Sequence, residues 1–181
     1  MIRIQPVDKN TAAVATNDLL RLVKKKMGSV PNLISTMANS LAVAKAYLGF
    51  NQALSSGSLS LRLREQIAIL VAELNSCEYC LAAHATFGKE VGLDAQEIHA
   101  ARSGAAHSTK EQIALEFVKK IVQNRGSVPD EALFQVRAAG YTDAEIVEII
   151  ANVALNIFTN YFNLVAGTEV DFPALPEQVA A

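Results

Sequence analysis

The ten residues NSCEYCLAAH, at positions 75–84, hold both cysteines of the chain together with a histidine. Cys77 and Cys80 are three positions apart, and His84 follows the second cysteine by four positions. Two thiols beside an imidazole can form a structural disulfide, bind a metal ion, or act as a redox pair with a nearby base. The residue types alone do not choose among these three kinds of chemistry.

A helix that begins near Ser76 would bring these side chains to one face. At about 100° of rotation per residue, Cys77, Cys80, His84 and Gly88 fall within about 80° of one another. The Cα atoms of residues three apart in such a turn are about 5 Å apart, which permits a disulfide. That disulfide would close a very short loop and stabilise the fold little. A purely structural bridge is therefore a weak reason for the pair.

A metal site would use the two thiolates and His84, with Glu65 as a possible fourth ligand. Structural zinc sites usually draw a second pair of ligands from elsewhere in the chain, and the sequence contains no second cysteine pair. A c-type haem attachment needs a histidine directly after the second cysteine, where this chain has Leu81. We therefore predict no metal site, although the same ligands keep that alternative open.

The redox interpretation needs a thiolate, a partner thiol and a group that moves protons. A thiolate attacks the O–O bond of a peroxide, becomes a sulfenic acid, and is captured by the neighbouring thiol as a disulfide. An external dithiol must then reduce this disulfide. The helix dipole favours Cys77 as the attacking thiolate, whereas the proximity of His84 favours Cys80. Spacing leaves the choice between the two cysteines open.

The composition bounds the setting in which this pair works. Of the 181 residues, 51% are hydrophobic and 19% are charged, so a monomer has little charge with which to cover its surface. We therefore expect a homo-oligomer. The net charge of −2 gives no reason to expect nucleic acid or an anionic membrane as a partner. The polar start of the chain lacks the apolar stretch of a secretory signal, and we expect a cytoplasmic protein.

The rest of the chain predicts an all-α fold. Apolar residues recur at helical spacing throughout, and the segments between them carry helix caps and glycines. Residues 29–32, SVPN, interrupt the pattern, and Ile67–Val71 could pass for a buried strand, although its flanking residues favour a helix. We predict one domain over residues 1–181 with about eight helices. The tail at 168–181 should be extended and lie across the surface or a neighbouring subunit.

Four asparagines lie on one face of the last long helical segment, at positions 152, 156, 160 and 163. Buried amides need hydrogen-bond partners, and a row of them on an apolar helix is typical of a contact between helices or subunits. We predict that this asparagine seam lies at a subunit contact. The alternative is that Asn156 or Asn160 faces the cysteine site.

The segment REQIAILVAELNSCEYCLAAHATFGKEVGL, residues 64–93, resembles the core of AhpD-like alkylhydroperoxidases in the carboxymuconolactone decarboxylase superfamily. The family pattern places a glutamate twelve positions before C-x-x-C and a histidine four positions after it. Glu65, Cys77, Cys80 and His84 fit every spacing within the predicted core motif at 60–93. The sequences GSVPN, ALNIFTNYFN and TEVDFP extend the resemblance to the peroxidase-related branch of the superfamily.

The resemblance implies an AhpD-like helical fold assembled as a trimer or hexamer, and reduction of a peroxide without a bound cofactor. It implies that Cys80 is the peroxidatic cysteine and Cys77 the resolving one, with Glu65 and His84 as a proton relay. The reductant would be an external dithiol such as a lipoyl group. The chain departs from the family at Tyr79, where the best-known members carry a histidine. A tyrosine is a poor base near neutral pH, so the relay is expected to be shorter here.

These observations predict a thiol-dependent peroxidase of the alkylhydroperoxidase type. Two other enzymatic or binding roles are the alternatives. The superfamily's decarboxylase or lactone chemistry does not need a C-x-x-C pair, and a metal-binding protein would use the thiols as ligands. A redox sensor without enzymatic activity would require the same two thiols.

Overall fold

Residues 1–173 are described in the computed structural model of the protein. This part of the chain contains nine α-helices and no β-strand, which confirms the all-α prediction. The helices are α1 (Val14–Met27), α2 (Asn32–Met37), α3 (Leu41–Ser55), α4 (Leu61–Leu74), α5 (Glu78–Glu90), α6 (Ala95–Ser103), α7 (Thr109–Gln123), α8 (Asp130–Ala138) and α9 (Asp143–Ala166).

The short helix α2 was not predicted. It begins directly after Pro31, in the segment that interrupts the helical pattern, and it has only six residues. Five of these six residues are buried, so the helix has no polar face from which a period could be read. The other eight helices were predicted from their caps and apolar spacing.

Helix α4 is the centre of the fold. Helices α5, α6, α7 and α9 all pack against it. Its middle, Gln66–Ala72, is a run of seven consecutive buried residues. This run explains why the sequence resembles a buried strand at Ile67–Val71, because a helix surrounded on all sides has no polar stripe. The packing of these helices therefore fixes the position of α4 and of the residues at its solvent-facing end.

Helix α9 is long and apolar enough to cross a membrane by length and composition, with a mean hydropathy of 1.4 over its most apolar 18-residue window. Half of that window is buried inside the fold, where α9 packs against α3, α4, α5 and α7. The helix opens with a capping box between Thr142 and Glu145 and ends at Gly167, which has a left-handed conformation. This arrangement is that of a central core helix.

The asparagine seam lies inside the chain, so the prediction of a subunit contact was wrong. Asn152, Asn156, Asn160 and Asn163 are all buried within the single chain. Asn156 donates to the carbonyl of Asn152 at 2.9 Å, and Asn160 accepts a hydrogen bond from Asn75 at 2.9 Å. The seam faces α4 and the start of α5, where Arg64, Asn75 and Cys80 hydrogen-bond with Asn152, Asn160 and Asn163.

The bond between Asn160 and Asn75 should stabilise the turn that precedes the cysteines. Asn160→Ala removes a buried hydrogen bond and leaves a small cavity, and it should lower the free energy of unfolding by about 2 kcal/mol. In a double-mutant cycle with Asn75→Ala, urea denaturation should give a coupling energy of about 1 kcal/mol. Strictly additive effects would show that the bond does not hold this turn.

Candidate active site

The cysteine pair lies at the turn between α4 and α5. Ser76 has a φ of 55°, which turns the chain sharply, and Cys77 follows in an extended conformation. The N-cap of α5 is Cys77, whose Sγ accepts a hydrogen bond from the backbone N–H of Cys80 at 3.3 Å. The helix was expected to begin near Ser76, and its N-cap lies one residue later. The cause is the left-handed residue at Ser76, which delays the helix.

Cys77 and Cys80 form a disulfide, with their Cα atoms 5.3 Å apart. Both residues are buried, at 1% and 3% exposure. Only Cys80 lines the largest cavity near the site, and Cys77 lies behind it. The two sulfurs therefore differ in access, and a small molecule in the cavity meets Cys80 first.

Glu65 and His84 form the polar pair of the site. The Nδ1 atom of His84 lies 2.8 Å from Oε2 of Glu65, and both side chains are about four-fifths buried. With the carboxylate as acceptor, Nδ1 carries the hydrogen and Nε2 is left to accept or give a proton. The predicted carboxylate and imidazole thus meet, although they lie 19 positions apart in the sequence.

A cavity of about 280 Å³ joins these groups. Cys80, His84 and Glu65 all line it. Most of its wall is apolar, and four aromatic rings contribute to it: Tyr47, Tyr79, Phe87 and Phe172. Such a cavity suits an organic molecule that buries an apolar body and presents one reactive group to the sulfur.

The segment after α9 closes one side of this cavity. Residues 168–173 form neither helix nor strand, while residues 174–181 of the predicted tail lie outside the described part. The backbone N–H of Asn32 donates to Asp171 at 2.8 Å, and the Asn32 amide donates to the carbonyl of Glu169 at 3.0 Å. The ring of Phe172 then meets Tyr79 and Phe87 edge to face, at centroid distances of 5.6 and 5.5 Å.

Tyr79 occupies the position of the family histidine, and its contacts serve the structure. Its hydroxyl accepts a hydrogen bond from the backbone N–H of Leu33 at 3.2 Å. Burial raises the pKa of Tyr79 far above its ordinary value, and the carboxylate of Asp171 adds to the increase. A phenol with so high a pKa does not transfer protons near neutral pH. Tyr79 instead links α2, α5 and the segment after α9.

Two further residues depart from the sequence interpretation. The amide Nδ2 of Asn163 lies 3.3 Å from Sγ of Cys80, so the asparagine that faces the cysteines is neither Asn156 nor Asn160. In the sequence, Asn163 was notable only as a member of the asparagine seam. Its contact partner, Cys80, is 83 positions away. A side chain at Gly88 would meet Leu93 and residues of α4 and α6, so this glycine points away from the cavity.

Within residues 1–173, no three or more His, Cys, Asp or Glu side chains converge in a way that could hold a metal ion. The two sulfurs are joined to each other, and Glu65 is bonded to His84. The chemistry that this arrangement supports directly is therefore that of a thiol pair with an adjacent carboxylate–imidazole pair.

The carboxymuconolactone decarboxylase family model matches residues 42–118, a segment that contains Glu65, both cysteines and His84. No curated protein matches the chain in sequence. The family match and the structural neighbours below confirm the resemblance to the AhpD-like proteins of this superfamily that residues 64–93 indicated.

Several solved structures share the fold. A peroxidase-related protein with an AhpD core from Ralstonia eutropha JMP134 is 21% identical, with a TM-score of 0.85 over 94% of this chain and 92% of that one. A peroxidase-related protein from Silicibacter sp. TM1040 is 22% identical, with a TM-score of 0.79 over 92% and 91%. The debrominase Bmp8, in a complex with 2,3,4-tribromopyrrole, is 19% identical, with a TM-score of 0.78 over 93% and 91%.

The role of Tyr79 can be tested by removing only its hydroxyl. Tyr79→Phe should leave the reaction rate of the cysteine pair within about threefold, because a phenol of such high pKa does not serve as an acid or base. The loss of the bond to the Leu33 N–H should lower the free energy of unfolding by about 1 kcal/mol. Stopped-flow thiol oxidation and urea denaturation measure the two effects. A hundredfold slower oxidation in Tyr79→Phe would indicate that Tyr79 does transfer protons.

Proposed function

We propose that this AhpD-like member of the carboxymuconolactone decarboxylase superfamily is a thiol-dependent peroxidase. The observation that carries the proposal is the position of Cys80 in one apolar cavity with the bonded pair of Glu65 and His84. Cys77 lies behind Cys80 and is already joined to it as a disulfide. These four residues supply a nucleophile, a second thiol and a proton carrier.

In the first step, the thiolate of Cys80 attacks the terminal oxygen of a hydroperoxide. A sulfur–oxygen bond forms and the O–O bond breaks, which leaves Cys80 as a sulfenic acid and releases an alkoxide. The alkoxide must take up a proton to leave as an alcohol. His84 can provide it from Nε2, since the carboxylate of Glu65 stabilises the protonated imidazole through Nδ1.

In the second step, Cys77 attacks the sulfur of Cys80. The S–S bond forms, and the hydroxyl group of the sulfenic acid leaves as water after taking a proton. The position of Cys77 at the N-cap favours this role, because the N–H of Cys80 and the helix dipole stabilise a thiolate there. The same feature makes Cys77 a good leaving group when the disulfide is reduced.

Turnover then needs two electrons from an external dithiol. The dithiol attacks the sulfur of Cys80, which is the one that reaches the cavity, and the thiolate of Cys77 leaves. A second attack within the mixed disulfide frees Cys80 and leaves the reductant oxidised. A lipoyl group is a candidate, because its short dithiol on an apolar chain fits a cavity of about 280 Å³ with apolar walls.

We further propose a cytoplasmic homo-oligomer, a trimer or hexamer, as the resemblance implies. Six exposed apolar residues of α9 support association: Val147, Ile150, Phe158, Tyr161, Leu164 and Val165. Most of them fall on the face of α9 opposite the asparagine seam, at about 100° per residue. An exposed apolar strip of this length is typical of a contact with another copy of the chain, and light scattering of the purified protein measures its mass.

Two other activities have a specific observation in their favour. The family match favours decarboxylation or lactone processing, for which the cysteines would be dispensable. The aromatic cavity beside Cys80, and the structural likeness to a debrominase, favour reductive dehalogenation of an aromatic ring by the same sulfurs. Product analysis separates them: activity that survives in Cys80→Ser supports the first, and halide release supports the second.

The assignment of the two cysteines predicts which sulfur is oxidised first. In Cys77→Ser, an organic hydroperoxide should generate a sulfenic acid on Cys80 that dimedone labels, because no second thiol is present to capture it. In Cys80→Ser, the same treatment should give no label. Mass spectrometry of the digested protein locates the adduct. Label on Cys77 in the Cys80→Ser variant would reverse the assignment.

Glu65 is predicted to act through His84. Glu65→Gln keeps the size of the side chain but removes the charge that stabilises the imidazolium, and it should slow peroxide reduction about a hundredfold. Glu73→Gln is the matched control, because Glu73 lies on the same helix and pairs with Arg102 outside the cavity. Stopped-flow kinetics with a reducing dithiol gives both rates. Equal effects of the two substitutions would exclude the relay.

A further inference from the structure

Asn163 touches the sulfur at which the proposed reaction occurs. Its Nδ2 lies 3.3 Å from Sγ of Cys80, and both residues are almost completely buried. The carbonyl oxygen of the same amide, Oδ1, is buried without a hydrogen-bond partner among the described residues. A buried amide that leaves one group unpaired and directs the other at a sulfur is costly to a fold. This cost indicates that the amide serves the sulfur rather than the stability of α9.

The value of this contact depends on the charge of the sulfur. A neutral thiol or a disulfide sulfur is a weak acceptor, so the bond to it contributes little. A thiolate is an anion, and a hydrogen bond to a charged acceptor is roughly twice as strong as one between neutral groups. The N–H of Asn163 therefore interacts more favourably with the reactive form of Cys80 than with the resting form.

We infer that Asn163 is a catalytic residue whose amide N–H stabilises the thiolate of Cys80. The inference rests on the proposed function, because it assumes that Cys80 is the attacking sulfur. The helix dipole alone does not select this sulfur, since Cys77 occupies the N-cap. The hydrogen bond from α9 gives Cys80 a stabilising contact of its own.

Other groups near the sulfur do not replace this contact. The charged and titratable side chains that line the cavity with Cys80 are Lys26, Tyr47, Arg64, Glu65, Tyr79 and His84. None of these six hydrogen-bonds Sγ, and Asn163 is the side chain that does so within residues 1–173. The Nδ1 of His84 is engaged by Glu65, and Arg64 donates through Nε to Asn152 at 3.4 Å. Burial of Cys80 by itself would oppose ionisation, which makes the one direct donor important.

The inference can be tested without any peroxide. In a Cys77→Ser background, Cys80 is the only thiol of the chain, and its ionisation can be followed by ultraviolet absorbance and by the pH dependence of its alkylation. Asn163→Leu removes the donor at similar volume, and the midpoint of ionisation should rise by about one pH unit, a tenfold loss of thiolate. Asn163→Ala also removes the donor, without adding a charge, and should raise the midpoint by a similar amount.

Asn156→Leu is the matched control. Asn156 is buried two turns earlier on α9, and its amide donates to a backbone carbonyl instead of a sulfur. It should leave the midpoint of Cys80 unchanged. Circular dichroism checks that each variant is folded, and Asn163→Ala, whose small side chain cannot overpack the site, provides the measurement if Asn163→Leu does not fold.

The outcomes separate this inference from the proposed function. An unchanged midpoint in both Asn163→Leu and Asn163→Ala would overturn the role of Asn163, even if the parent protein reduces peroxides. A raised midpoint in the Asn163 variants supports the role of Asn163, even if the parent protein consumes no peroxide. In that second case the thiolate of Cys80 would be stabilised for a different reaction.

Discussion

The hydrogen bond between Glu65 and His84 depends on how tightly α4 and α5 are held together. Glu65 lies directly before the run of seven buried residues in α4, and His84 lies in the middle of α5. The three residues between the helices make a tight turn, so the carboxylate and the imidazole come together as the two helices pack as a hairpin. The disulfide joins the last residue of this turn to the first turn of α5. Both sulfurs and the Glu65–His84 pair thus belong to a single helical hairpin.

The two sulfurs of this hairpin have different surroundings, and these match different tasks. Cys77 is stabilised from within its own helix, by the N–H groups that any helix leaves free at its start. Cys80 reaches the cavity and is contacted from another helix, α9, through Asn163. The first arrangement suits a resolving thiol that is also the leaving group, and the second suits a sulfur that attacks a substrate. Under the proposed function, the two cysteines would therefore differ in role because of their positions alone.

Much of this could be predicted from the sequence, since it depends on local spacing. Eight helices follow from caps and apolar periodicity, whereas the pairing of Glu65 with His84 was expected only from the resemblance to the AhpD-like family. The features that could not be predicted depend on tertiary contacts. The seam of asparagines has the same sequence signature whether it faces another subunit or the interior, and only packing shows that it faces α4 and the cysteines. The start of α5 was also predicted one residue too early. Ser76 adopts the left-handed conformation there, and no glycine in the sequence indicates it.

One of the four aromatic rings that line the cavity comes from a different part of the chain than the sulfurs. The segment that the family model matches, residues 42–118, contains both sulfurs and the Glu65–His84 pair, whereas Phe172 belongs to the stretch after α9. That stretch is attached to α2 by a few hydrogen bonds and to the cavity by one ring. Exchanges in these six residues can reshape what fits beside Cys80 while the hairpin stays intact. The fit of a ligand on this side of the cavity can thus change separately from the reactivity of the sulfurs, which gives protein engineering a short segment on which to act.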